Sequence, residues 1–200
     1  MNLVSELIFP TIYTTIGAII GGLIAYYIAK RNFSMNRWDE GKTYVSLLNI
    51  YANTIAERCE CLREFLSSWQ PRIDNLDEIH AFRRDCRLLE NEMCFFVEYW
   101  AKYKENIQYC RLESVCRNTR QRERYKNIVL SCEAIIVTIS SISTYLDDVR
   151  ERYDRIISDD NGRAQFLSDN KGHLFPMLER LKDKCNELNT LVSSRGIQNP

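Results

Sequence analysis

Two histidines, eight cysteines and several clustered arginines are the side chains of this 200-residue chain best able to do chemistry. His80, Arg83, Arg84 and Arg87 recur at spacings of three and four, so a helix would gather them on one face. That face suits phosphate binding, or acid–base chemistry on RNA with His80 and Arg84 as weak catalytic candidates. The competing reading is a solvated helix surface. A second basic run holds Arg111, Arg117, Arg120, Arg122, Arg124 and Lys126. Glu113 and Glu123 dilute it, and only Tyr125 is interleaved as an aromatic platform. Arg117, Arg120, Arg122 and Arg124 are therefore candidates for a polyanion or subunit contact, set against a solvated face.

The cysteines invite a metal or disulfide reading. Cys59-Glu60-Cys61 is the only close pair, and on a helix its thiols point about 200° apart, so they cannot share one ion. Cys86, Cys132 and Cys185 fall on apolar seams, where a thiol acts as a small hydrophobe. There is no Glu-x-x-His pair, no His-Glu-x-x-His and no phosphate-cradling glycine loop. No metal and no cofactor are expected.

Long helices must position these groups. Glycine and proline are scarce and lie mostly at the edges of periodic segments. From Leu7 to Ala29 there is no charge, and Lys30 and Arg31 follow together. As a helix this stretch would extend roughly 34 Å, enough to cross a hydrocarbon core of about 30 Å. The basic pair comes after the apolar run, which is the reverse of an export signal and favours an outside N-terminus with a cytoplasmic body. Tyr26 and Tyr27 sit near the basic end, where interfacial aromatics are expected.

At about 100° per residue, Thr11, Thr15, Ala18, Gly22, Ala25 and Ala29 share one side, flanked by Thr14, Gly17 and Gly21. Phe9, Tyr13, Ile16, Ile20, Leu23 and Tyr27 lie opposite. Small residues let helices approach closely in lipid, and threonine hydroxyls can bond across the contact. Self-association is expected, and a ring of such helices would line a lumen with threonine and small residues. A lone tether is the alternative.

Setting aside Glu6, Lys30 and Arg31 leaves 25 basic and 26 acidic side chains in residues 32–200. That near-neutral body argues against generic polyanion binding. Its periodicity is helical throughout. Leu47 or Leu48, Tyr51, Ile55, Leu62, Leu66 and Trp69 predict a helix over about 38–69, which Pro71 ends. Leu76, Ile79, Cys86, Leu89, Met93, Phe96, Trp100 and Tyr103 predict a second.

Tyr125, Ile128, Cys132, Ile135, Ile139, Ile142, Leu146, Val149, Tyr153 and Ile156 alternate by three and four, an a/d seam serving either an internal bundle or an intermolecular coiled coil. Glu133 and four serines argue against a second span between Ile128 and Leu146. Ser158 to His173 reads as a polar turn region. A last helix carries Leu174, Leu178, Leu181, Cys185, Leu188 and Val192. The expected fold is all-α: an N-terminal transmembrane helix with its flanks (1–31), a four- or five-helix bundle (32–192) and a flexible tail (193–200).

One N-terminal span, a basic exit at Lys30-Arg31 and a small all-helical body resemble the single-span membrane accessory protein of type VI-B CRISPR systems. The resemblance is one of layout over the whole chain. It implies a pore-like membrane oligomer with a degenerate HEPN-like helical domain that supports RNA-guided antiviral defence. The HEPN signature, arginine followed after four to six residues by histidine, is missing: Arg72 lies too far before His80, and Arg163 too far before His173. The resemblance therefore carries over no catalytic residue.

The leading expectation is a non-enzymatic, single-pass protein of the inner or cell membrane that self-associates and permeabilises or clusters there, in an antiviral or stress response. Its partners would be the lipid bilayer, further copies of itself and a cytoplasmic protein, with nucleic acid left open. A membrane-tethered adaptor and a divergent HEPN-like ribonuclease are the alternatives.

Overall fold

The computed structural model describes residues 3–69, 76–109, 119–156 and 160–193, with side chains in the first helix described from Gly17 onward. Four helices account for them: α1 (Leu3–Ser68), α2 (Leu76–Tyr109), α3 (Thr119–Ile156) and α4 (Asp160–Ser193). Among the described residues there is no strand.

α1 corrects the expected layout. The apolar segment and the first bundle helix, read from the sequence as separate elements, form one uninterrupted helix of 66 residues, about 99 Å long. No proline falls between Arg31 and Trp38, and Ser34 does not cap a new helix. Its Oγ donates back to the Lys30 carbonyl at 2.9 Å, within the same helix. The boundary expected at residue 31 therefore falls inside α1, and the bundle has four helices, the first shared with the apolar segment.

The helices run up, down, up and down. α1 packs on α2 and α4, and α3 closes the square by packing on the same two. Inward residues follow the expected 3–4 spacing. Leu48, Ile55, Leu62 and Leu66 of α1 are buried, and Leu47 is 37% exposed, which settles which leucine faces the core. Burying each such side chain is worth about 1.5–3 kcal/mol. The α3 seam is buried without a miss from Tyr125 to Tyr153, so it serves this bundle rather than a coiled coil with another chain. Ile156 lies outside the residues whose side chains are described. By length and composition α3, over Thr119–Tyr153, is long and apolar enough to cross a membrane; its seam faces the bundle core, and Leu130 and Val137 face outward.

α4 also departs from expectation. The stretch read as a polar turn is helical from Asp160 onward, and Phe166, Leu167 and Asn170 carry the buried stripe back from Leu174. Asn170 can lie in the core because both ends of its amide are bonded. Its Oδ1 accepts from the Tyr145 hydroxyl at 2.9 Å and its Nδ2 donates to the Phe166 carbonyl at 2.6 Å. The expected tail beyond Ser193 lies outside the described residues.

Candidate functional site

From Gly17 to Phe33, α1 stands clear of the bundle. Every described residue from Gly17 to Phe33 is exposed, including Ile19 (58%), Leu23 (63%) and Tyr26 (66%). A Cβ added at Gly17, Gly21 or Gly22 would meet no atom within 4 Å. Ala18, Ala25 and Ala29 on the same side are exposed too, as are Tyr26, Tyr27, Lys30 and Arg31 at the basic end. The side chains of Thr11, Thr14 and Thr15 lie outside the described set. Over the described stretch from Gly17 to Ala29 the fold covers neither the small-residue side nor the bulky side.

Where α1 enters the bundle, three other helix ends converge. Arg37 Nη1 reaches Asn106 Oδ1 of α2 at 3.5 Å. The Trp38 ring lies 5.0 Å from Tyr125 of α3, and both are buried. Arg124, beside Tyr125, donates from Nε and Nη2 to the Leu191 carbonyl at 2.9 and 2.6 Å, and from Nη2 to the Val192 carbonyl at 3.2 Å. The last carbonyls of a helix have no partner inside it, so this guanidinium closes the end of α4. Partial burial holds its pKa below the usual arginine range.

Arg124 was grouped with Arg117, Arg120 and Arg122 as a polyanion or subunit contact; its guanidinium is instead turned onto α4. Arg120 is exposed and Arg122 half-buried, whereas Arg111 and Arg117 lie outside the described residues. No sequence pattern marks Arg124 apart from its neighbours, because its partner is a backbone carbonyl 67 residues away.

At the opposite end the histidine–arginine face divides. His80 Nδ1 is 2.8 Å from the Tyr153 hydroxyl of α3, and the Arg83 guanidinium lies over the Tyr153 ring, 4.2 Å from its centre. Arg83 and Arg87 line a shallow cleft with Cys86, Glu90 and Arg150. Arg84 points away: it is 71% exposed and pairs with Asp85 at 3.2 Å. The two weak catalytic candidates, His80 and Arg84, are thus aimed at different surroundings. Glu90 is held by Arg150 Nη2 at 2.9 and 2.8 Å. Burial pushes the Cys86 thiol up, which keeps it neutral and a poor nucleophile.

The remaining cysteines follow their faces. Cys59 is buried and Cys61 exposed, as the opposed directions of the pair require. Cys132 and Cys185 are buried as well, and desolvation pushes each thiol up to about 12. All six described cysteines are free, and among the described residues no three His, Cys, Asp or Glu side chains gather as a metal site.

An aromatic ridge was not foreseen. Tyr51 of α1 stands 6.5 Å from Phe95 and 5.6 Å from Tyr99 of α2, and Tyr103 stacks on Tyr44 at 4.4 Å. Phe95 (52%) and Ile50 (58%) remain exposed beside it. Tyr51 and Tyr103 were placed on their helices by spacing, but the contacts they make across α1 and α2 depend on how the two helices pack.

Fold and site together define an all-helical, up-and-down four-helix bundle whose first helix extends beyond it as a bare apolar rod. No protein-family model, no curated protein and no solved structure matches the chain.

Proposed function

We propose that residues 7–29 of α1 cross a membrane once, with the N-terminus outside and the bundle in the cytoplasm, and that copies assemble through the small-residue face. The assembly perturbs the bilayer as a pore or cluster, in the manner of a defence or stress effector, and the protein is not an enzyme. The observation that carries this reading is the bare segment from Gly17 to Ala29. Its large apolar side chains are half to two-thirds exposed, although the bundle beside it buries its own apolar stripes. An apolar surface of that extent marks an interaction with lipid or protein. The three glycines add a strip where a second helix could approach closely, since none of the described residues occupies it.

Two measurements on the full-length protein test the proposal. Membranes washed at alkaline pH should retain it, and mass photometry in detergent at micromolar concentration should give a multimer. Release into the wash removes the span, and a particle of one chain removes the assembly.

A second reading, an adaptor that docks a cytoplasmic protein, is supported by the aromatic ridge of Tyr51, Phe95 and Tyr99 with exposed Ile50. Under it, the native span could be exchanged for any apolar helix of equal length without loss of cellular effect, and Phe95→Asp would abolish that effect. Under the assembly reading the exchange itself is disabling.

A further inference from the structure

The bundle end from which the apolar segment emerges is electrically unlike the other end. Four stretches meet there: residues 30–43 of α1, 101–108 of α2, 119–126 of α3 and 186–193 of α4. Together they carry ten basic and five acidic side chains, a formal +5. The opposite end, residues 57–68, 77–85, 147–153 and 165–171, carries seven basic and ten acidic, a formal −3. The whole chain is neutral, and residues 119–126, laid beside Trp38 by the fold, supply a formal +3 of the +5 at this end.

We infer that this basic end docks on the anionic headgroups of the leaflet that α1 leaves, which rests on the reading that residues 7–29 span the membrane. The register supports it. Trp38 lies nine residues beyond Ala29, about 13.5 Å along α1. Tyr125 is level with Trp38, their rings 5.0 Å apart, and α3 runs in the same direction as α1. Arg120, five residues before Tyr125, is therefore about 7.5 Å nearer the membrane. That puts it roughly 6 Å past the last apolar residue, within a headgroup layer of about 5–8 Å.

The first turn of α3 carries no acidic residue, and the positive end of its helix dipole lies at the same level as Arg120. The five acidic groups of this end are already counted in its +5, and the basic side chains keep the excess. Glu123, Asp39 and Glu40 pair with Lys126, Lys42 and Arg37 at 3.8, 3.8 and 3.5 Å, long surface pairs that bind little. Arg124, whose Nε and Nη2 are turned onto α4, contributes its charge. The ligand class is the anionic phospholipid headgroup, engaged by Arg120 and by Arg122, about 9 Å past Ala29 and within side-chain reach of the layer, on α3, together with Lys30 and Arg31 on α1.

The test is backbone hydrogen exchange of the full-length protein in nanodiscs of phosphatidylcholine alone and with about 30% phosphatidylglycerol. Exchange across residues 119–126 should slow roughly fivefold or more in the anionic discs, and half-molar salt should erase the difference. A chain with R120E and R122E should show no lipid dependence, with exchange across Ile128–Leu146 unchanged as proof that the bundle is intact. Arginine-to-lysine changes at 120 and 122 should keep the effect. Equal exchange in both discs by a chain seated in both overturns the docking alone. A chain that enters neither disc overturns the span and the docking with it. Protection by a short single-stranded RNA in neutral discs, without any response to phosphatidylglycerol, assigns the surface to nucleic acid and likewise overturns the inference.

Discussion

Replacing Arg124 with alanine should loosen the bundle at the end nearest the apolar segment. The side chain makes three contacts to two carbonyls at the C-terminus of α4, at 2.6, 2.9 and 3.2 Å. A hydrogen bond to a charged group contributes about 1.5–3 kcal/mol. Here the contacts share one guanidinium, the site is only part-buried, and water can reach the freed carbonyls. A net loss of about 2 kcal/mol follows, which for a chain of this size lowers the melting temperature by roughly 4–8 °C.

Circular dichroism of the full-length protein in detergent would measure that shift, and hydrogen exchange would show whether opening starts at residues 188–193. Arg120→Ala in the same run of arginines should move the melting temperature by less than about 2 °C, because Arg120 lies exposed on the surface. If Arg124→Ala melts with the native protein and the end of α4 exchanges no faster, the capping role is wrong and Arg124 returns to the surface run.

Replacing Gly17, Gly21 and Gly22 with leucine should keep or raise helix content, since each added side chain meets open space and leucine gains up to about 1 kcal/mol over glycine in a helix. The same variant should fall to a single chain by mass photometry, and a persisting multimer would remove the close-packing face. Asn170→Ala should cost about 1–3 kcal/mol by unfolding titration and Tyr145→Phe less, with a double-mutant cycle showing coupling between them. Glu60 accepts from Lys182 at 2.5 Å and from Arg63 at 2.9 Å, and the Lys182 bond is the main reason its carboxyl is held below the usual range. A depressed carboxyl stabilises the fold above its unfolded pKa of about 4.5 and loses that contribution as pH falls through the folded value. Glu60→Gln should therefore flatten the acid side of the stability profile. In native protein at pH 8, maleimide should label Cys61 and Cys94 quickly while Cys59, Cys86, Cys132 and Cys185 stay unmodified, as peptide mass mapping would read.

Much of the fold was legible because burial in a helical bundle repeats with the helix itself. The α3 seam from Tyr125 to Tyr153 was read residue by residue from spacings of three and four, and every one of those positions is buried. The opposed thiols of Cys59 and Cys61 followed from about 100° per residue alone. The polar composition of 158–173 hid the start of α4, because the core-facing Asn170 is satisfied by a Tyr145 that lies 25 residues earlier. The histidine–arginine face was located correctly on α2, but its division between Tyr153 and solvent depends on where α3 packs.

The chain order of side chains thus determined which surfaces are apolar, where a run long enough to cross a bilayer lies, and which residues of each helix turn inward. Those properties are local: they need only the helix period and the hydropathy of each residue. Tertiary structure alone decided that the apolar segment continues unbroken into the bundle, that Arg124 closes α4, and that the positive charge of α3's N-terminus gathers beside the segment's exit. These depend on which helix ends become neighbours, and residues from 67 to 87 positions apart meet there only when the whole bundle has packed.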